Sequence, residues 1–182
     1  RTVADHLVRR LAADRGVRLM AAVQAVTGPV STDDLGWTLM HEHLMAATPG
    51  LYTSFPQLYD RAAILATTVD RLKQAHARGV RTLVDMSPSD FHRDVELARE
   101  ASLASGVNVI HATGAYHQTT LFFMNREVET LVDLFVHDIT RGMGGTDIRA
   151  GILKAATAGA GVTPLNDKLL RAVARAHRAT GV

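Results

Sequence analysis

The chain contains no cysteine. That excludes disulfides and thiolate metal sites, and it leaves His, Asp, Glu and Lys as the side chains able to hold a metal. The same lack suits a cytoplasmic setting. No apolar run approaches the roughly 20 residues that a bilayer-spanning helix needs, so a transmembrane helix is excluded and a soluble protein with no membrane partner is expected. A basic stripe is missing too, although the sequence pI is 9.3. Residues 1–19 hold five Arg and two Asp, and the rest of the chain carries 15 basic against 16 acidic side chains. The surplus is local, and nucleic acid is discounted as a partner. Nor does a Gly-x-Gly-x-x-Gly follow the first strand, which argues against a dinucleotide fold. Arg9-Arg10 precedes a stretch too charged for the apolar core of an export signal.

The chain begins with Arg1, and Met20 stands just before the first structured segment. Residues 1–21 are expected to be an N-terminal tail or read-through, although Val3, Leu7 and Leu11 share one helical face and fit a short surface helix equally well. The remaining residues, 22–182, suffice for one domain with a sizeable core. Between residues 22 and 44, Gly28-Pro29 and Asp33-Asp34-Leu35-Gly36 interrupt extended pieces, predicting a small hairpin that leads into a first strand. A unit of strand, loop, amphipathic helix and glycine then recurs. Helices are predicted from about Asp60 to Arg78; after a Ser89 or Asp90 cap, with Val95, Ala98 and Ala101 inward; beyond Asn125, through Val128, Leu131 and Phe135; and from a Thr163 cap with Pro164 at the first turn. Strands are predicted over Arg81–Ser87, Asn108–Tyr116 and Arg149–Thr157.

Strands that are nearly continuously apolar and alternate with helices indicate a parallel α/β sheet buried on both faces. The polar candidates gather at strand ends, which favours a barrel over a doubly wound sheet. Ala77-Arg78-Gly79-Val80 and Ala104-Ser105-Gly106-Val107 each lead into a strand, and Ala179-Thr180-Gly181-Val182 stands where a fifth would begin. The expected fold is therefore a TIM (β/α)₈ barrel truncated to about its first four βα units, the N-terminal half of an enzyme of ~250 residues or more.

Two features carry chemistry. In Thr38-Leu39-Met40-His41-Glu42-His43-Leu44, strand alternation points His41 and His43 the same way and Glu42 the other, so two imidazoles can share one metal ion while Glu42 packs. A pair of ordinary hydrogen-bonded strand histidines is the plainer alternative. Lys154 interrupts the apolar strand Gly151-Ile152-Leu153-Lys154-Ala155-Ala156-Thr157, where an ammonium is costly unless paired or chemically altered. A desolvated amine can add carbon dioxide and become an anionic carbamate. Alternatively, its long stem reaches past the strand end to a carboxylate or water.

Taken together, these stretches resemble the phosphotriesterase family of the amidohydrolase superfamily. Gly28-Pro29-Val30 followed by Leu35-Gly36-Trp37-Thr38-Leu39-Met40-His41-Glu42-His43-Leu44 is similar to its entry signature. Thr82-Leu83-Val84-Asp85, Ala112-Thr113-Gly114-Ala115-Tyr116 and Gly151-Ile152-Leu153-Lys154 follow in order, with His92-Arg93-Asp94 in place of the usual Gly-Arg-Asp. The resemblance covers residues 24 to 182. It implies a binuclear metal-dependent hydrolase of phosphotriester, lactone or carboxylic ester bonds, working through a hydroxide held between two divalent ions. Zinc is the first expectation, with cobalt, manganese or iron as alternatives. His41 and His43 would bind the more buried ion, and a carboxylated Lys154 would bridge it to the second. Tyr116 would line the substrate pocket, where lactonase-like members carry tyrosine, although a rim-packing role is an equal alternative. Asp85 would orient a ligand or loop, or simply cap a turn. The remaining histidines, His111 among them, are assigned no chemistry. The family's other ligands come from strands five, six and eight, so these residues by themselves are expected to be inactive. The full-length enzyme is expected to be a homodimer acting on small-molecule esters, lactones or organophosphates. A lactonase with weak phosphotriesterase activity and a non-catalytic half-barrel that self-associates are the competing readings.

Overall fold

The computed structural model describes residues 21–117, 119–159 and 161–182. The expected tail or surface helix of residues 1–20 lies outside them. An antiparallel hairpin, β1 (Ala22–Ala25) and β2 (Gly28–Ser31), is followed by a parallel sheet of four strands in sequential order: β3 (Trp37–Glu42), β4 (Val80–Asp85), β5 (Asn108–Gly114) and β6 (Ile152–Lys154). Helices α1 (Leu51–Ser54), α2 (Arg61–Ala77), α3 (Val95–Ser105), α4 (Leu121–Met124), α5 (Val128–Thr140) and α6 (Pro164–Thr180) make up the connections and the segment after β6. This is the α/β architecture of repeated βα units, preceded by the expected hairpin.

The caps explain where the long helices start. Asp60 accepts a hydrogen bond from the Ala63 N–H at the head of α2. Thr163 and Asn166 form a reciprocal capping box at the head of α6, with Pro164 in its first turn. Two stripes of apolar side chains then close two cores. Leu72, Val95, Ala98 and Ala101 of α2 and α3 pack on Leu83 and Val109 of the sheet. Leu131 and Phe135 of α5 meet Leu169, Ala172 and Ala176 of α6. On the other face of the sheet, Val84 and Ile110 pack with Ala25, and the hairpin's Val23 and Val30 complete that smaller cluster. The hairpin therefore plugs one end of the sheet, and the Val26 N–H donates to the Val109 carbonyl at 2.8 Å. Gly151 is required there, because a Cβ at this position would sit 2.1 Å from the Gln24 carbonyl oxygen.

Four predicted boundaries shift. Ser89 and Asp90 do not cap α3; they form a 3₁₀ turn, and Asp94 caps the helix by accepting from the Leu97 N–H at 2.8 Å. Asp90 is committed elsewhere, accepting from the Tyr116 N–H at 2.9 Å and the Thr119 hydroxyl at 2.7 Å. Asn125 precedes α5 as expected and is also the C-cap of α4, a short helix that periodicity could not show. The strand expected over Arg149–Thr157 pairs only as Ile152–Lys154, along β5. The strands expected to run to Ser87 and Tyr116 end at Asp85 and Gly114, and the residues beyond them turn away to form loop contacts.

Candidate functional site

The register of β3 decides which way His41 looks, and with it His43, which lies one residue past the strand's end. Leu39 pairs with Leu83, but Glu42 pairs with Asp85, so three residues on β3 span two on β4. Without that bulge, His41 and His43 would share a face with Leu39 and Leu83, toward the helices. With it, they turn to the concave side of Val84, Ile110 and Ile152. Their rings stand 5.4 Å apart, edge to face. Lys154 has the same parity as Ile152 and so faces the same side. The expectation that Glu42 packs is corrected: its side chain is exposed, because β3 is a sheet edge and α2 begins only at Arg61.

Lys154 is 4% exposed. Its Nζ donates to the Met86 carbonyl at 2.8 Å and lies 5.3 Å from the Tyr116 ring centroid. Burial pushes the ammonium's pKa below its usual range, against the pull of Asp90 and then Asp85. Burial, and then the charge of Lys154, lowers the His43 imidazole in turn. Tyr116 is half-buried and packs against Phe91, which also touches the His43 ring; both pairs of ring centroids are 5.1 Å apart. Phe91 and Tyr116 line a cleft of about 390 Å³ together with Ala47, Pro49, Asp90 and Thr120. Periodicity gave no sign of Phe91, since it sits in the 3₁₀ turn that occupies the expected helix cap.

Asp85 is buried on the opposite, helix-facing side. It accepts from the Leu44 N–H at 3.4 Å and the Ser87 N–H at 3.0 Å, so it braces the loops that follow β3 and β4. His111 pairs with it in register and also faces the helices; its Nε2 is 3.6 Å from Asp85 and has no hydrogen-bond partner among the described residues. Burial pushes this imidazole's pKa down, against the pull of the Asp85 carboxylate. Beside it, the Thr113 hydroxyl donates to Asp138 at 2.6 Å and ties β5 to α5, while the Arg93–Asp138 ion pair at 2.7 Å ties the segment before α3 to the same helix.

Among the described residues, no three His, Asp or Glu side chains converge as a metal site. The donors that do share a side are two imidazoles and one desolvated amine. They fit part of a metal site and fall short of a complete one, because a divalent ion in a catalytic centre takes three protein ligands or more.

The model of the phosphotriesterase family matches residues 21–182. A phosphotriesterase homology protein of Mycobacterium tuberculosis is 36% identical over 172 residues, covering 89% of this chain and 53% of the relative. An aryldialkylphosphatase of Saccharolobus solfataricus is 34% identical, covering 84% and 49% respectively. An N-acetyltaurine hydrolase of Xenopus tropicalis is 27% identical, covering 90% and 55%. The chain spans about half the length of the curated relatives it matches.

Proposed function

The chain belongs to the phosphotriesterase family, and from that premise we propose that residues 22–182 form the first half of a metal-dependent hydrolase barrel. His41 and His43 hold one divalent ion. A carboxylated Lys154 would help hold it and a second ion, and zinc would be the first choice over cobalt, manganese or iron. The observation that carries this reading is a lysine only 4% exposed on the same side of the sheet as two adjacent imidazoles. An ammonium there is unfavourable, whereas a carbamate would keep one N–H to donate to the Met86 carbonyl and would add two oxygens able to hold a metal.

Bound divalent ions would supply Lewis acidity, lowering the pKa of a water and polarising the bond it attacks. This chain's residues do the rest. His41 and His43 present their rings from a bulged strand edge, and Phe91 and Tyr116 wall the adjacent cleft with aromatic surface that orients an ester, lactone or organophosphate. The tyrosine at position 116 favours lactones, with phosphotriesters as the weaker class. Half a ligand set cannot position the attacking water, so residues 22–182 alone are inactive, and the complete enzyme works as a cytoplasmic homodimer.

Elemental analysis after zinc loading tests this. Wild type retains metal, Lys154→Ala and His41→Ala each lose most of it, and small carboxylic acids partly restore it to Lys154→Ala. Glu42→Ala keeps its metal. Full metal content in Lys154→Ala, or turnover of a lactone or phosphotriester by residues 20–182 as a stable monomer, would overturn the reading.

A further inference from the structure

We propose that Ser87 is the positioning residue that fixes the His43 ring in the tautomer that presents Nε2, and not Nδ1, to a divalent ion. The inference rests on the metal-site reading above. Ser87 lies two residues past the end of β4 and is fully buried. Its Oγ is 2.8 Å from His43 Nδ1 and 3.1 Å from the Met45 carbonyl oxygen. A carbonyl only accepts, and a hydroxyl has one proton to give. That proton therefore goes to Met45, and the hydroxyl oxygen turns a lone pair to His43. Nδ1 must carry the hydrogen to complete the contact. A neutral imidazole with Nδ1–H has its free lone pair on Nε2, the atom farther from the backbone and the one able to bind a metal.

Ser87 is itself held. Asp85 accepts from its N–H at 3.0 Å and from the Leu44 N–H at 3.4 Å, while the Met86 N–H donates to the Glu42 carbonyl at 2.9 Å. The Met86 carbonyl also receives Lys154 Nζ. Three consecutive residues, Asp85, Met86 and Ser87, thus brace the histidine strand on one side and the lysine on the other. The serine hydroxyl is the only one of these contacts that selects a tautomer.

The metal-free 182-residue chain, labelled with ¹⁵N, gives the first readout through long-range ring correlations of His43. Wild type should show Nδ1–H with a bare Nε2, Ser87→Ala should shift toward the Nε2–H form, and Ser87→Thr should restore the wild-type pattern. Cobalt(II) titration gives the second: affinity should fall on the order of 10- to 100-fold in Ser87→Ala and recover in Ser87→Thr. An Nε2–H tautomer in wild type, which needs no variant to fold, overturns the inference. So does an unchanged His43 spectrum or cobalt affinity in a folded Ser87→Ala. Cobalt binding that survives such a result leaves the metal reading standing. A wild type with the expected tautomer but no cobalt binding overturns the metal reading and, with it, the role given to Nε2.

Discussion

Where the hairpin meets the sheet, Ala25, Val84 and Ile110 are packed against one another, and Gly151 lets the Gln24 carbonyl approach closer than any side chain would allow. At the opposite ends of the same strands, Asp85, Ser87, Asp90 and Lys154 are buried polar groups whose contacts run to loop backbone and neighbouring side chains. The first region is apolar and close-packed, so it tolerates no added volume. The second keeps a buried amine and two exposed imidazoles that packing alone would not select. The difference teaches where folding energy is made and where it is given up for chemistry, the division found between the two faces of parallel barrels.

Gly151→Ala attacks the packed end and should have the largest effect, a loss of about 4 kcal/mol in urea denaturation, because its Cβ meets backbone rather than a flexible side-chain tip. A loss below about 1 kcal/mol would mean that the hairpin can shift, and the contrast between the ends would blur.

Asp94→Asn probes a support of the polar end and should cost about 1.5 kcal/mol at neutral pH. Asp94 caps α3 and also accepts from Tyr59 at 2.9 Å and Arg61 at 3.2 Å. Burial alone would raise its carboxyl pKa, but the Leu97 N–H, Tyr59 and Arg61 together hold it below the usual carboxylate range. Its partner shifts the other way, since burial and Asp94 push the Tyr59 phenol up to about 12. A depressed acid pKa stabilises the fold above the unfolded value of about 3.9 and loses that contribution as the pH falls through the folded one. The gap between wild type and Asp94→Asn should therefore be full at pH 7 and narrow below about pH 4. A gap independent of pH would show that the cap geometry, not the charge, is what matters.

Lys154→Met should move stability least, leaving the metal-free chain unchanged or up to about 1 kcal/mol more stable, since it exchanges a desolvated amine for an apolar chain of similar length. Metal retention should vanish in the same variant. A destabilisation of about 3 kcal/mol would instead make Lys154 part of the packing, like the residues at the opposite end of the strands.

The helices were legible because each announces itself locally. Asp60 and Thr163-Pro164 mark starts, Gly79, Gly106 and Gly181 follow the ends, and the apolar spacing of Leu131, Phe135 and Ile139 survives unchanged into the core. The candidate site residues His41, His43 and Lys154 stood out because imidazole pairs and lone lysines are rare in apolar strands. Phe91, Ser87 and the true cap Asp94 did not, because their roles depend on residues far away in sequence.

The amino-acid order by itself determined the alternation of strands and helices and marked the stretches that hold the candidate site, since propensity, capping and periodicity act over a few residues. Only the tertiary structure decided which face those stretches present. The bulge between Leu39 and Glu42 is set by pairing with β4, and the bond from Ser87 to His43 joins residues 44 positions apart. A one-residue change of register inverts every side chain of a strand, and no local signal records it.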